Sequence, residues 1–278
     1  MPMTYNEPTV PTYPASVVLP TAGDGVGSTS GAAPADPVWL KLQNGVAGAR
    51  FQGYGGGIRR SIKCYASNAI TVNPLGGVAV KLAGVWTTVL DTTGTVFDPT
   101  AGGTVTLGIS TRYWLYVTIT AGALVYSIST TQPDAGLKYQ NGDESKLYIS
   151  TFITNPDRSV VPYSQSDNRY DYYSPINQPN TRVLNNGAAT LTTVVTISLA
   201  LPAAAQNASL RFAMGTLATG HSATISYFDG NAMTTLVDNT LISAFEDVNA
   251  CLDGANKFLY RVSDASYTVS GWVTGFSL

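Results

Sequence analysis

The residues of this chain that could do acid–base chemistry are few and widely separated. His221 is its single histidine, and no Gly-x-Ser-x-Gly phrase accompanies it. Asp143-Glu144 and Glu246-Asp247 are adjacent acidic pairs, and glycoside hydrolases use two carboxylates. Neighbours on a strand point to opposite faces, so neither pair alone forms a facing dyad. We predict no catalytic residues and place His221 on the surface; a polysaccharide depolymerase is the least favoured alternative.

Metal and cofactor chemistry lacks its usual donor sets in this sequence. A zinc site needs three or four His, Cys or carboxylate ligands, whereas Cys64 and Cys251 lie 187 positions apart. The stretch Gly53-Tyr-Gly-Gly-Gly57 resembles half of a phosphate loop, but no Gly-Lys-Ser/Thr follows it. We therefore predict no metal, no cofactor, a mobile hairpin tip at Gly53–Gly57 and two buried free thiols.

One basic cluster, formed by Arg50, Arg59, Arg60 and Lys63, flanks that glycine-rich stretch. Such a cluster could contact a nucleic-acid backbone or another acidic partner. The chain has a formal net charge of −2 at pH 7, however. This charge favours a solvated face, or a dock for an acidic segment, over specific nucleic-acid binding.

The composition indicates that the elements positioning these residues are β-strands. Only 12% of the residues are charged, about half the usual share of a soluble domain. The chain is instead rich in Thr, Val and Tyr, which favour half-buried pleated surfaces. No apolar run approaches the ~18 residues of a membrane helix, so we expect no membrane insertion. The fold class predicted is all-β.

Alternating patterns predict individual strands. The clearest strand is 112–120, and Ala121-Gly122 turns it into a second strand at 124–129, which is the spacing of a hairpin. Further strands are expected at 61–65, 78–82, 85–90, 104–109, 147–153, 159–163, 191–201, 209–217, 224–228, 258–262 and 267–276. Turn signals every 8–12 residues in the C-terminal part are typical of a β-sandwich.

These strands and the segments between them predict an extended arm followed by two domains. Residues 1–36 hold six prolines and bury too little apolar surface to fold by themselves, so we interpret them as an anchoring arm. The two domains are expected to be β-sandwich or jelly-roll-like: residues 37–163 form the first and 182–278 the second, with 164–181 as a linker. The tyrosines from Tyr163 to Tyr173 could stack on sugars or line an interface, but interface or core packing is the favoured interpretation.

Charge is distributed unevenly between these segments. The arm carries −3, residues 37–175 carry +3, and residues 176–278 carry −2. An acidic arm beside a mildly basic body permits the arm to lie on a neighbouring subunit.

Short phrases along the chain resemble structural proteins of tailed bacteriophages. The start, Tyr13-Pro-Ala-Ser-Val-Val-Leu-Pro20-Thr-Ala-Gly-Asp24, with Pro37-Val-Trp-Leu-Lys41 after it, resembles their N-terminal segments. The stretch from Tyr113 to Tyr172 is similar to phage fibre and decoration modules. Leu201-Pro-Ala-Ala-Ala, Phe258-Leu-Tyr-Arg-Val and Val269-Ser-Gly-Trp272 resemble a β-sandwich at the ends of such proteins. The segment Gly23–Asp36 departs from the pattern, because it is rich in Gly, Ser and Ala.

The resemblance implies a non-enzymatic virion part of the head-fibre, tail-fibre or capsid-decoration type, assembled in the bacterial cytoplasm as a trimer. Its implied partners are other virion proteins of capsid or tail, with a host surface glycan as a further partner. A carbohydrate-binding receptor-recognition module is the alternative function. Residues predicted to contact partners are Tyr13, Val17, Leu19, Pro20, Trp39, Arg59 and Arg60.

Overall fold

The structure is a computed structural model that describes residues 60–65, 68–101, 105–214, 220–237, 245–251 and 256–278. Within these ranges the regular structure is strands and short 3-10 turns, with no α-helix, so the predicted all-β class is confirmed. The predicted arm, residues 1–36, lies outside the described residues. Among the described residues there is also no helix with the length and apolar character needed to span a bilayer.

The first part of the chain contributes a two-stranded hairpin and two larger antiparallel arrays. The hairpin pairs β3 with β4, one array has the order β7-β6-β9-β8, and the other runs β5-β2-β1-β10-β11. The strands are β1 (Ser61–Cys64), β2 (Ile70–Val72), β3 (Gly76–Leu82), β4 (Val85–Asp91), β5 (Thr95–Phe97), β6 (Arg112–Thr120), β7 (Ala123–Ser129), β8 (Tyr139–Gln140), β9 (Asp143–Ile153), β10 (Tyr163–Ser166) and β11 (Arg169–Tyr172).

The two arrays face each other as the layers of a sandwich. The hydroxyls of Tyr148 in β9 and Tyr170 in β11 are hydrogen-bonded at 2.6 Å. Ser150 in β9 likewise meets Tyr163 in β10 at 3.0 Å. All four side chains are buried, and pairing satisfies hydroxyls that would otherwise be costly to bury.

The second part forms a jelly roll. Its eight strands lie in two antiparallel sheets with the orders β12-β19-β14-β17 and β13-β18-β15-β16, as expected for a double Greek key. The strands are β12 (Arg182–Gly187), β13 (Thr193–Thr196), β14 (Asn207–Met214), β15 (Ser222–Tyr227), β16 (Ala232–Val237), β17 (Phe245–Ala250), β18 (Lys257–Val262) and β19 (Val269–Ser277). Phe212 and Phe258 meet edge to face at 5.4 Å between the sheets.

Buried and partly buried side chains alternate along β14. This pattern shows why the strand belongs to a sheet with one face in the core. Ala208, Leu210 and Phe212 are buried, while Ser209 and Arg211 between them are only partly buried. Strand geometry sends successive side chains to opposite faces, so this pattern commits one face to the core.

One continuous sheet joins the two sandwiches. The last strand, β19, pairs with β14 on one side; on its other side it pairs first with β12 and then with β11. In the second of these pairings Tyr170 lies opposite Phe276 and Asp171 opposite Gly275. The result is a nine-stranded sheet that both halves of the chain build.

The segment 164–181, predicted to be a linker, is folded into this sheet. It holds most of β10 and all of β11, and then two 3-10 turns at Pro175–Asn177 and Pro179–Thr181. Tyr170 and Tyr172 are buried in the core. Physically, the tyrosines serve core packing here, because their rings fill the space where the two sandwiches meet.

Candidate binding surface

A sharp turn after β9 organises an indented part of the described surface. The carboxylate of Asp157 accepts hydrogen bonds from the hydroxyl and the N–H of Ser159, at 2.6 and 2.9 Å. These bonds lower the pKa of Asp157, so the turn carries a carboxylate at neutral pH. Arg158 between them has a positive φ of 70°, a conformation that only a tight turn imposes on a non-glycine residue.

Two clefts flank this turn. The larger has a volume of about 490 Å³ and the smaller about 360 Å³, and both touch Asp157 and Ser159. Both linings combine polar and apolar residues, so each cleft offers hydrogen-bonding groups beside apolar surface. The larger cleft is lined by Asn155, Pro156, Asp157, Ser159, Val160, Pro162, Asn177, Gln178 and Pro179.

Asn155 ties the turn to the 3-10 segment. Its amide Nδ2 donates to Gln178 Oε1 at 2.8 Å and to Ser159 Oγ at 3.2 Å. The residue is only 8% exposed, and its Oδ1 accepts no hydrogen bond from the described residues. A buried acceptor without a donor is uncommon and costs free energy, so this oxygen has capacity for a further donor.

The 3-10 segment itself is held firmly. The hydroxyl of buried Thr181 hydrogen-bonds to the carbonyls of Pro175 and Gln178. Asn180 Nδ2 donates to the carbonyl of Thr154, the residue that follows β9. Prolines at positions 175 and 179 fix φ, so this wall of the cleft is rigid before any ligand arrives.

An exposed tyrosine pair lies next to the larger cleft. The rings of Tyr65 and Tyr173 have centroids 4.6 Å apart with planes inclined by 52°, and the Tyr173 hydroxyl donates to the Tyr65 hydroxyl at 3.0 Å. Tyr65 is 55% exposed and Tyr173 is 36% exposed. The ammonium of Lys63 lies 5.9 Å from the centre of the Tyr65 ring. The hydrogen bond from Tyr173 lowers the pKa of Tyr65, and the Lys63 charge acts in the same direction.

The backbone connects this pair to the cleft. The N–H of Tyr173 donates to the carbonyl of Pro162 at 2.9 Å, and Pro162 lines the larger cleft. Lys63 in β1 lies opposite Ser164 in β10, two residues along each strand from Tyr65 and Pro162. The tyrosines, Lys63 and the cleft therefore form one surface, which we call the tyrosine–cleft surface.

Sequence reasoning considered sugar stacking for Tyr163 to Tyr173, but it did not include Tyr65 or the cleft in that surface. It treated Tyr163 to Tyr173 as one set, whereas Tyr163, Tyr170 and Tyr172 are buried and Tyr173 alone among them is exposed. Strand alternation was the available signal, because Tyr170 and Tyr172 share one face and Tyr173 follows where the strand ends.

Of the residues predicted to contact partners, Tyr13, Val17, Leu19, Pro20, Trp39 and Arg59 lie outside the described residues, as do Arg50 and Gly53–Gly57. Arg60 is described and half-buried. Its N–H donates to Asp167 Oδ1 at 3.3 Å, its guanidinium reaches Asn168 Oδ1 at 3.4 Å, and it stands 5.0 Å from the centre of the Tyr148 ring. These contacts attach the start of β1 to the β10–β11 turn.

The candidate acid–base residues are dispersed. His221 stacks on Tyr267 with ring centroids 3.7 Å apart. Glu144 pairs with Lys81 at 2.9 Å, and Asp247 forms two hydrogen bonds with Arg211 at 2.7 and 2.6 Å. In the described part of the chain, no cluster of three or more His, Cys, Asp or Glu could hold a metal ion.

The two cysteines differ from the expectation of two buried thiols. Both are free, and Cys64 is buried as predicted, but Cys251 is exposed. Cys251 directly follows β17. It therefore lies beyond the end of that strand and not on the face that packs into the core. For Cys64, burial raises the thiol pKa to about 11, and the Asp98 charge adds to this.

Comparison with known proteins found no matching family model and no matching curated protein. Among solved structures, the insecticidal delta-endotoxin Cry8Ea1 from Bacillus thuringiensis aligns at 10% identity with a TM-score of 0.20. The alignment covers 79% of this chain and 51% of the endotoxin chain, so this chain spans about half the length of that protein.

Proposed function

We propose that this chain is a non-enzymatic structural protein of a tailed-bacteriophage virion. Its N-terminal arm, residues 1–36, attaches it to the capsid or the tail. The folded β-body projects from the particle as a decoration or fibre module and contacts the host surface. The protein assembles as a homotrimer in the bacterial cytoplasm, and its partners are other virion proteins and a host glycan.

The observation that carries this proposal is the continuous sheet through which the two sandwiches are fused. A projecting part must hold its outer surface at a fixed position relative to its anchor. The β11–β19 pairing supplies backbone hydrogen bonds between the halves, and the two layers on either side bury one connected core. Jelly rolls are also frequent in viral capsid and lectin domains, which fits a particle part with a binding surface.

The N-terminal sequence supports the same proposal. The Pro-Ala-Ser-Val-Val-Leu-Pro phrase and the Trp-Leu-Lys phrase resemble the starts of phage structural proteins. The arm's charge of −3 is opposite in sign to the +3 of residues 37–175, so an arm can lie on a neighbouring copy. Exposed ion pairs contribute about 0–1 kcal/mol each, so we expect apolar arm residues such as Val17 and Leu19 to supply most of the anchoring energy.

Antibody–gold labelling of gradient-purified particles tests the proposal. We expect label at regular positions on the particle for the full chain. For a chain lacking residues 1–36 we expect a folded protein that stays in the soluble fraction. Particles without label, or equal incorporation of the truncated chain, would contradict the virion assignment and the anchor, respectively.

A further inference from the structure

We propose that the tyrosine–cleft surface is a saccharide-binding site. The inference rests on the proposed function, because it names the residues with which the projecting body would hold a host surface glycan. Its ligand class follows from the pairing of an exposed aromatic ledge, formed by Tyr65 and Tyr173, with a rigid cleft that offers both polar and apolar groups.

The aromatic ledge matches the apolar face of a sugar ring. A pyranose presents C–H groups on one face and hydroxyls around its edge, and a tyrosine offers an apolar ring with a polar tip. The ring planes of Tyr65 and Tyr173 are inclined by 52°, so the two rings form a V-shaped surface and not one flat surface. Their hydroxyls are already bonded to each other, which fixes both rings in place.

Exposure separates these two tyrosines from the neighbouring ones. Tyr163, Tyr170 and Tyr172 are buried and serve the core. Tyr65 and Tyr173 are adjacent and both exposed, so together they present apolar ring surface that a ligand could cover.

The cleft supplies the hydrogen bonds that a saccharide requires. Sugar hydroxyls both donate and accept hydrogen bonds. The side-chain amides of Asn177 and Gln178, which line the cleft, can likewise do both. Asp157 adds a carboxylate acceptor, and Lys63 adds an ammonium donor beside the ledge.

The site is organised in advance. The bonds from Asn155 to Gln178 and Ser159 join the two cleft walls, and the Tyr173–Pro162 hydrogen bond fixes the ledge against the cleft. Rigid sites lose less conformational entropy on binding, so a small ligand can bind measurably without a deep pocket.

The test uses the full chain and its variants on an array of bacterial surface oligosaccharides. The tightest-binding array member is then titrated by calorimetry. We expect Tyr65→Ala and Tyr173→Ala each to weaken binding about tenfold or more, and the exposed cleft variant Asn177→Ala to weaken it by several fold. Tyr65→Phe keeps the ring but loses the bond to the Tyr173 hydroxyl, so it should weaken binding less than Tyr65→Ala does.

Phe228→Ala is the matched control. Phe228 is an aromatic side chain that is 48% exposed and lies on the jelly roll, after β15. Its removal should leave saccharide affinity unchanged. Circular dichroism of each variant establishes that the fold is intact.

The site and the proposed function can fail separately. Binding of no array saccharide, or tyrosine-to-alanine variants that bind as tightly as the parent chain, would overturn the site even if the chain is found in virions. Tyrosine-dependent binding by a chain absent from virions would support the site and count against the virion assignment.

Discussion

The ring of Tyr170 stacks on the ring of Phe276 with centroids 4.5 Å apart and planes inclined by only 9°. Tyr170 belongs to β11 in the first sandwich, and Phe276 belongs to β19 in the jelly roll. Arg112 adds to the contact, because its guanidinium lies 5.8 Å from the Phe276 ring centre and also donates to Thr151 and to the carbonyl of Leu199. The stack is therefore the centre of the seam between the two halves.

Removing the stack should destabilise the whole body. We expect Phe276→Ala to lower the free energy of unfolding by about 3–5 kcal/mol, because a buried aromatic ring is lost and a cavity remains. Urea unfolding followed by tryptophan fluorescence measures this. Phe228→Ala, an exposed phenylalanine, should change the value by less than about 0.5 kcal/mol. Equal effects of the two variants would show that the seam does not stabilise the fold.

Close backbone approach at the seam gives a second prediction. A Cβ at Gly275 would lie 2.4 Å from the carbonyl oxygen of Tyr170 and 3.0 Å from Asp171 Oδ1. Gly275→Ala must therefore push β11 away from β19, and we expect a melting temperature several degrees lower, by differential scanning calorimetry. Gly136→Ala is the control, because the nearest atom to its Cβ would be 3.7 Å away. A Gly275→Ala chain as stable as the control would contradict this packing.

Alkaline pH should weaken the fold through the buried tyrosines. Burial raises the pKa of Tyr170 to about 12 and the pKa of Tyr148 well above its usual 10.0. Above pH 10 the unfolded chain releases phenol protons that the folded chain keeps. The stability from these groups is thus complete below pH 10 and falls as the pH rises toward 12, by up to about 1.4 kcal/mol per unit for each group.

The double variant Tyr148→Phe/Tyr170→Phe isolates this effect. It removes both hydroxyls of one hydrogen-bonded pair, so no buried partner is left unsatisfied. Its melting temperature should fall less steeply between pH 10 and 12 than that of the parent chain. Parallel curves would exclude this pair as the source of alkaline sensitivity.

The two thiols should differ in reactivity. Cys64 is buried with a raised pKa, so little thiolate forms near neutral pH, whereas Cys251 is exposed. Ellman's reagent should titrate one thiol in the native chain and two in guanidinium chloride. A native Cys251→Ser chain should then react slowly or not at all; rapid reaction would contradict the burial of Cys64.

Strand patterns gave much of the fold in advance. The strand predicted at 112–120 is observed with the same bounds as β6, and its hairpin partner differs by one residue. Both signals are local, since alternation and a two-residue turn depend on neighbours in sequence. A β-sandwich or jelly-roll-like form was predicted for both domains, and the strands of the C-terminal part form a jelly roll.

The nine-stranded sheet crosses the predicted linker at 164–181, and it depends on pairing between strands far apart in sequence. Polar residues and prolines in 164–181 indicated a linker. In the structure, β10 and β11 form a hairpin that turns at Asp167, and Gln165, Tyr170 and Tyr172 are buried. The pairing of β11 with β19 joins residues about a hundred positions apart, and no local pattern encodes it. The tyrosine–cleft surface depends on another long-range pairing, that of β10 with β1 and β11, which brings Tyr173 beside Tyr65.

The central claim is that this chain is a structural part of a phage particle. Quantitative mass spectrometry of gradient-purified virions tests it most directly, with the major capsid protein as the internal reference. The account predicts that the chain is present at a constant ratio to that protein across the particle peak and between preparations. Absence of the chain from the peak, or a ratio that varies from fraction to fraction, would contradict it.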